Sequence, residues 1–380
     1  MSTRPLTVLQ TLPALDGGGV ERGVLEVAEA LVNAGHRSLV VSAGGRMVRE
    51  LTQRGSEHFT CPIGAKTPTT LRWVPWMRNL MLQQKVDVVD FHSRLPGWMT
   101  WLAWKLIPVA ERPRLVSTVH GLHSVSSYSS IMCRGETVIV VSETLLNYVL
   151  QHYPKVSAGR IRLIHRGIDP GEYPRGFVPG HAWKRAFRRQ FPETEGKKIL
   201  TLPGRITRLK GHHDFVDLID NLSRTDSQVH GLIVGGAHPR KAAYSDEVRQ
   251  HVRSLKLDDR ITFTGQRSDL KEIYATSELV LSLSRTPESF GRTVAEALSI
   301  GTPVIGYNHG GVAEILAAQF PQGAVPFGDQ AALFAAVREQ LIDGNPELPG
   351  ANRFEKSEML RRTLDVYEDV CEQIPLRKAA

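Results

Sequence analysis

Short runs rich in Val, Ile and Leu, each about as long as a strand, alternate along this chain with stretches of helical periodicity, and this rhythm restricts the fold more than any other feature. The first series reads Leu6 to Leu12, Ser38 to Ala43, Val86 to His92, Leu115 to His120 and Val138 to Ser142. Apolar runs of this kind belong to strands buried on both faces, as in a parallel sheet covered by helices. The helix after the first run places Val20, Val24, Val27, Ala28, Leu31 and Val32 on one face and stops at Gly35, a residue suited to the left-handed position past a helix end. A second series follows a basic, proline-punctuated stretch from Pro170 to Pro192: Ile199 to Leu202, Gly231 to Val234, Ile261 to Thr264, Leu279 to Leu283 and Pro303 to Gly306. The pattern predicts an α/β chain of two doubly wound, Rossmann-like lobes, with ligands at the carboxyl ends of the strands facing an inter-lobe cleft. A length of 380 residues agrees, at roughly 150 residues per domain. From Ala351 to Ile374, Met359, Leu360, Leu364 and Tyr367 form one apolar stripe, predicting a C-terminal helix that packs back on a lobe. The boundaries drawn here are 1–175, 176–350 and 351–380. No internal repeat points to a solenoid.

Several classes fall away. Cys61, Cys133 and Cys371 are too few and too scattered for a disulfide framework or a structural zinc site, and they fit a reducing compartment. Residues 1–13 carry one Arg and a strand-like run without the long apolar core and cleavage site of a signal peptide. The longest apolar stretch, Leu95 to Pro108, is interrupted by Lys105 and is shorter than the roughly 20 residues a bilayer crossing needs. A soluble, cytoplasmic protein is expected. Of the net charge of +8, residues 1–190 carry 24 Lys and Arg against 13 Asp and Glu, and the remainder 23 against 26. A positive excess confined to the first half favours an anionic partner there, an acidic membrane surface or a phosphorylated substrate. Nucleic acid is less supported and is not expected. Trp73, Trp76, Trp98, Trp101 and Trp104 all lie in that half, the last three at every third residue beside Lys105. Helical packing accounts for most of this stripe, and attachment to an anionic leaflet is its functional alternative.

Three segments carry chemistry. Asp16-Gly17-Gly18-Gly19-Val20-Glu21 sits between the first strand and first helix, where glycines let an anion approach backbone N–H groups at a positive helix end; a flexible turn is the plain alternative. It is a poor dinucleotide fingerprint, because Arg22 holds the third glycine position and no acidic residue closes the second strand, so an NAD enzyme is disfavoured. Pro203-Gly204-Arg205-Ile206-Thr207-Arg208-Leu209-Lys210-Gly211 follows a strand and sets Arg205 and Lys210 five apart, a planar fork and a compact charge suited to two adjacent phosphates; taken alone the loop reads as an exposed basic turn, and its place at a strand's carboxyl end, with the motif that follows, favours the phosphate reading. The consensus GxxxxGK[ST] is absent. Thr286 to Leu298 opens a helix after a strand, with Ser289 expected near the N-cap and the amides of Phe290 to Thr293 free for phosphate oxygens. Glu288 and Glu296 flank that site and can accept hydrogen bonds from sugar hydroxyls, although two unrelated surface acids fit as well. His212 and His213 are too isolated to argue a metal site.

The glutamates spaced Glu-x7-Glu in ESFGRTVAE, preceded by GRITRLKG and by the GGGVERG turn, resemble the GT-B retaining glycosyltransferases of family GT-4. Further matching stretches, in the family's order, are Thr118 to Gly121, Val138 to Glu143, Ile164 to Asp169, Phe263 to Leu270 and Gly301 to Ile315. The resemblance spans nearly the whole chain. It implies an acceptor-binding first lobe and a second lobe holding a nucleotide diphosphate sugar, with uridine the commonest base in the family. Arg205 and Lys210 are expected to neutralise the diphosphate and Glu296 to bind the ribose. Glu288 and the backbone of Phe290 and Gly291 are expected to hold the transferred sugar, and Arg292 and Thr293 to complete the donor site. Gly18 and Gly19 are expected to close over the phosphates, Gln266 and Arg267 to meet the base, and His120 to lie near sugar and acceptor. Glu288, Lys210, Arg205 and His120 thus become the candidate catalytic residues. The resemblance also implies retention of configuration without metal or other cofactor; no Asp-x-Asp motif occurs, Asp87 and Asp90 coming nearest. Arg292 replaces a common aliphatic residue and Arg166 a common Asn, and both are candidate contacts to a phosphorylated acceptor or to donor oxygens, with solvated surface charge as the plain alternative. The expected reaction is sugar transfer to a saccharide or lipid-linked acceptor, such as a lipopolysaccharide core. A nucleotide-sugar epimerase or hydrolase and a non-catalytic binding protein are the alternatives.

Overall fold

The computed structural model describes residues 4–237, 242–344 and 353–372. It divides into two compact units, Met1–Arg166 with Lys356–Ala380, and Gly167–Glu355. In the first, β1 (Thr7–Thr11), α1 (Gly19–Asn33), β2 (Arg37–Ser42), α2 (Val48–Gln53), β3 (Glu57–Thr60) and α3 (Trp73–Gln83) lead into β4 (Val88–Phe91). Then come α4 (Arg94–Lys105), β5 (Arg114–Val119), β6 (Thr137–Val140), α5 (Glu143–His152) and β7 (Ile161–Leu163). The second unit runs α6 (His181–Gln190), β8 (Lys198–Pro203), α7 (His212–Ser223), β9 (Val229–Val234), α8 (Ala242–Ser254), β10 (Ile261–Gly265) and α9 (Leu270–Thr276). It continues with β11 (Leu279–Ser282), α10 (Arg292–Ile300), β12 (Val304–Tyr307), α11 (Gly310–Gln319), β13 (Ala324–Val325) and α12 (Gln330–Asp343). The chain then returns to the first unit as α13 (Lys356–Glu372).

Every strand pair is parallel. The sheet orders are β3-β2-β1-β4-β5-β6-β7 and β10-β9-β8-β11-β12-β13. Alternate residues explain why both faces are covered. Leu9 of β1 joins Val89, Phe91 and Val140 on the face packed by α3 and α4 through Met77, Leu80, Met99 and Ala103. Its neighbour Val8 points the other way, toward Val27 and Leu31 of α1 and Met359 and Tyr367 of α13. The second sheet repeats the scheme, with Leu281 facing α7 and α8, and Val280 facing α10 and α11. Each sheet reverses its order once, between β1 and β4 and between β8 and β11, and loops leaving the carboxyl ends of such strand pairs form the binding crevice of doubly wound folds.

The structure adds three strands that apolar periodicity did not indicate. β3, β7 and β13 are all sheet edges, short and only partly buried. With one neighbour each and a half-wet surface, they have no need of the Val/Ile/Leu run that marks a central strand. α1 ends as expected, with Gly35 at φ +81°. On α13 the buried stripe is Met359, Thr363, Val366, Tyr367 and Val370, while Leu360 and Leu364 are half-buried. The portions 351–352 and 373–374 of the expected C-terminal helical segment lie outside the described residues. The five tryptophans pack half-buried against the first unit's core. No helix among the described residues is long and apolar enough to cross a membrane.

Candidate functional site

In the second unit the reversal of strand order brings two motif-bearing loops together. β8 runs into the Arg205 loop and the short turn Arg208–Lys210, and β11, its direct neighbour, runs into the Ser284 to Glu288 loop. Gly211 joins them closely: it has φ +69°, and a Cβ there would overlap the Leu283 carbonyl. Lys210 Nζ consequently donates to Glu288 Oε1 at 2.6 Å, across 78 residues of sequence, and the Ser284 hydroxyl donates to the same oxygen. Burial alone raises the Glu288 pKa, but the Lys210 ammonium and these two hydrogen bonds outweigh it and leave the carboxyl below its ordinary value. Arg205, by contrast, is exposed and among the described residues has no hydrogen-bond or ion-pair partner.

The helix expected to begin near Ser289 begins later. Gly291 is the N-cap residue, at φ +98°, and the first intrahelical bonds run from Val294 and Ala295 to its carbonyl. The left-handed conformation, which glycine adopts without cost, displaces the serine cap; the amides just before Val294 are the ones without a helical acceptor. Two residues that sequence reasoning gave no role hold this loop. A Cβ on Gly310 would meet Glu288 N and O at 2.7 Å, a Cβ on Gly311 would overlap the Phe290 backbone, and Gly311 N–H donates to the Glu288 carbonyl at 2.8 Å. The pair Gly310-Gly311 lies inside Gly301 to Ile315, a stretch that resembles the family, so the signal is present in the sequence while the contact it serves is set only by the fold.

Glu296 lies on α10, 4% exposed. Burial raises its pKa despite Arg292, whose Nε donates to Oε1 at 2.8 Å, and the Tyr274 hydroxyl, 3.3 Å from Oε2. Arg292 is thus engaged by a carboxylate one helical turn away. Thr293 is half-buried and Phe290 packs edge-on against Phe354. Gln266 is exposed beside Gly236, whereas Arg267 is held by Asp269 at 2.6 Å and by Gln190 at 3.0 Å.

In the first unit Gly18 and Gly19 are exposed at the start of α1. His120, at the carboxyl end of β5, meets His92 after β4 at 2.9 Å and Arg166 at 3.3 Å. Asp87 is occupied by Arg4 and the Thr7 amide, and Asp90, fully buried, accepts from Thr118 at 2.7 Å and Tyr367 at 2.8 Å. The two do not form a joint acidic site. The second unit thus offers cations and helix amides suited to a leaving diphosphate, beside carboxylates suited to sugar hydroxyls.

Residues 184–358 match the family described as "Glycosyl transferases group 1", and residues 17–172 match "Glycosyltransferase Family 4". The N-acetyl-alpha-D-glucosaminyl L-malate synthase of Bacillus anthracis is 25% identical over 329 residues, which cover 80% of this chain and 79% of that protein. A glycosyltransferase from Rickettsia africae superposes with a TM-score of 0.82 at 27% identity, over 97% of this chain and 100% of that one. Anabaena Alr3699/HepE, solved in complex with UDP-glucose, superposes with a TM-score of 0.78 at 20% identity, over 96% of this chain and 100% of that one, a likeness of fold. With two Rossmann-like units that match, in order, the two halves of the family, the chain is a GT-B glycosyltransferase of family GT-4, an enzyme that transfers hexosyl groups from nucleotide sugars.

Proposed function

We propose that this enzyme moves a hexose from a UDP-sugar, with retention of configuration, to a saccharide or lipid-linked acceptor bearing a negative charge, as in the assembly of a lipopolysaccharide core or another cell-surface glycan. The Lys210–Glu288 pair carries the reading: it sets a cation and a sugar-binding carboxylate side by side at the strand-order reversal, next to the open end of α10. In this scheme the diphosphate takes Lys210 from Glu288, Arg205 and the α10 amides share the developing negative charge, and Glu288 turns to the sugar. Glu296 holds the ribose, Gln266 and Arg267 meet the base, and Gly18, Gly19, His120 and Arg166 serve from the first unit. UDP is supported by the Anabaena complexes, and an anionic acceptor by the malate in the name of the Bacillus relative and by the first half's positive charge.

A contact with acidic lipid on the inner face of the plasma membrane belongs to the same reading. The first unit carries a groove of about 810 Å³ lined by Trp101, Trp104, Lys105, Arg134, Lys155 and Arg160, among others, and none of its lining residues is acidic.

Melting temperatures measured against a panel of nucleotide sugars should rise with the true donor, by about 2.7 kcal/mol of stability at a concentration 100 times Kd. Lys210→Met and Glu288→Gln should each lower nucleotide release from that donor at least about 100-fold. A protein that no nucleotide sugar stabilises overturns the reading. Consumption of the donor without a glycosylated product indicates the hydrolase or epimerase instead.

A further inference from the structure

A single run of hydrogen bonds crosses the interior of the first unit, and both of its ends land on α1. Arg166 Nη2 lies 3.0 Å from the Gly19 carbonyl oxygen and 3.3 Å from His120 Nδ1. His120 Nε2 lies 2.9 Å from His92 Nδ1, and His92 Nε2 lies 3.1 Å from Gln10 Oε1. Gln10 Nε2 in turn donates to the Val24 carbonyl at 3.3 Å. One arrangement of protons satisfies all these contacts. A guanidinium only donates, so His120 Nδ1 carries a lone pair and its Nε2 carries the hydrogen. His92 Nδ1 must then accept, its Nε2–H donates to the Gln10 amide oxygen, and the Gln10 NH₂ is left for Val24. The far end requires the same direction independently, because a backbone carbonyl only accepts.

Between the two anchor points, Gly23 lies under Arg166: a Cβ on Gly23 would overlap both terminal nitrogens of the guanidinium. Gln10 is fully buried and His92 nearly so. We propose that this closed circuit is a positioning device, in which Arg166, seated on Gly23, ties the glycine turn at the start of α1 to His120, and His120 serves as a fixed neutral hydrogen-bonding group rather than as a proton carrier. The inference rests on the reading that His120 and the glycine turn serve the substrates.

The surroundings agree. Burial, then the Arg166 charge, then His92 and His123 hold the His120 pKa well below its ordinary value. For His92, burial lowers the pKa, Asp90 opposes it and Arg166 lowers it further. Asp90 is itself capped by the Thr118 and Tyr367 hydroxyls, the latter from α13, and His123 lies near Arg94. An Asn at position 166 carries no charge and presents both a donor and an acceptor, so it would leave the Val24 carbonyl alone to set the direction of the chain; Arg fixes it from both ends and adds a charge.

The test uses the full chain labelled with ¹⁵N-histidine, with signals assigned through His120→Gln and His92→Gln. Between pH 5 and 8 both imidazoles should show the neutral Nε2–H tautomer and no titration. Arg166→Asn should let His120 titrate toward its ordinary range near 6.5. Gly23→Ala, which favours the helix by about 1 kcal/mol yet displaces the guanidinium, should do the same. The double variant should add nothing to either single change. With UDP-glucose as probe, either variant should lower kcat about tenfold and add an acidic limb to its pH profile. A wild-type His120 that titrates near 6.5, or that shows the Nδ1–H tautomer, overturns the circuit. Variants that change the spectra but leave kcat and its pH profile untouched overturn its positioning role. Wild-type spectra as expected, in a protein that releases no UDP, refute the donor reading and leave the circuit standing.

Discussion

Arg292 and Glu296 show how a charge changes meaning once its neighbour is known. Read singly, Arg292 is an extra cation available to a phosphate; four residues apart on α10, the two form a pair with the carboxylate inside. That spacing was legible in the sequence, and the burial that makes the pair matter was not. Removing one partner of such a pair strands the other. Arg292→Leu should destabilise the second unit by about 2 kcal/mol, a moderate figure because the guanidinium is partly exposed, and should raise the KM for donor while leaving that for acceptor unchanged. Unfolding curves and two-substrate kinetics check both parts. His212 and His230, fully buried, carry a different consequence: burial pushes each down to about 4. The unfolded chain then takes up protons before the folded one does, so the neutral histidines preserve stability above about pH 6.5, and it is lost as pH falls toward 4. By pH 5 each costs about 2 kcal/mol. The urea midpoint of the second unit should therefore drop from pH 7 to pH 5, and His230→Gln should flatten the drop; equal midpoints would contradict the assignment.

At the scale of elements, the central strands and most helices follow from periodicity, because an element buried on one or both faces must declare its apolar residues in order. The edges escape. β3, β7 and β13 are partly wet, and their existence depends on a neighbouring ladder with unfilled hydrogen bonds. Helix ends are legible only where the terminating residue has no rival, as at Gly35; near Ser289 a glycine two positions on took the cap. The start of α11 matters for the same reason. Because Gly310 and Gly311 sit against the backbone of Glu288 and Phe290, α11 sets the position of the loop that carries the candidate sugar-binding carboxylate. A methyl at Gly311 has nowhere to go except into that loop. Gly311→Ala should cost about 2 kcal/mol or more and lower nucleotide release at least about tenfold. Gly19→Ala, where a Cβ would meet nothing within 4 Å, provides the contrast in stability.

For the molecule as a whole, charge and surface chemistry divide between the units. The positive excess belongs to the first half of the chain, and part of it lines the tryptophan-bearing groove. There Arg134 lies 4.5 Å from the Trp101 ring centroid, and the Arg160 guanidinium is spent on the Gly135 and Glu136 carbonyls, so no carboxylate neutralises either among these contacts. Sedimentation with acidic vesicles should exceed that with neutral ones and should fall as salt rises from 0.05 to about 0.5 M. Replacing Lys105, Arg134 and Lys155 together by Gln should abolish the difference. Equal sedimentation of the wild type with both vesicle types would remove the membrane contact from the proposed function.

The sequence alone determined the class of fold and marked the segments where the candidate site residues gather, because a strand buried on both faces needs a continuous apolar run and a backbone that turns sharply needs glycine. Those demands are local, and a linear text can record them. The partners were decided by tertiary structure: the reversal of strand order set Lys210 on Glu288 across 78 residues, and three strands, a buried Asp and Tyr367 of α13 set the surroundings of two histidines. Which nitrogen carries a proton, and which cation is already engaged, depends on distances that only packing sets.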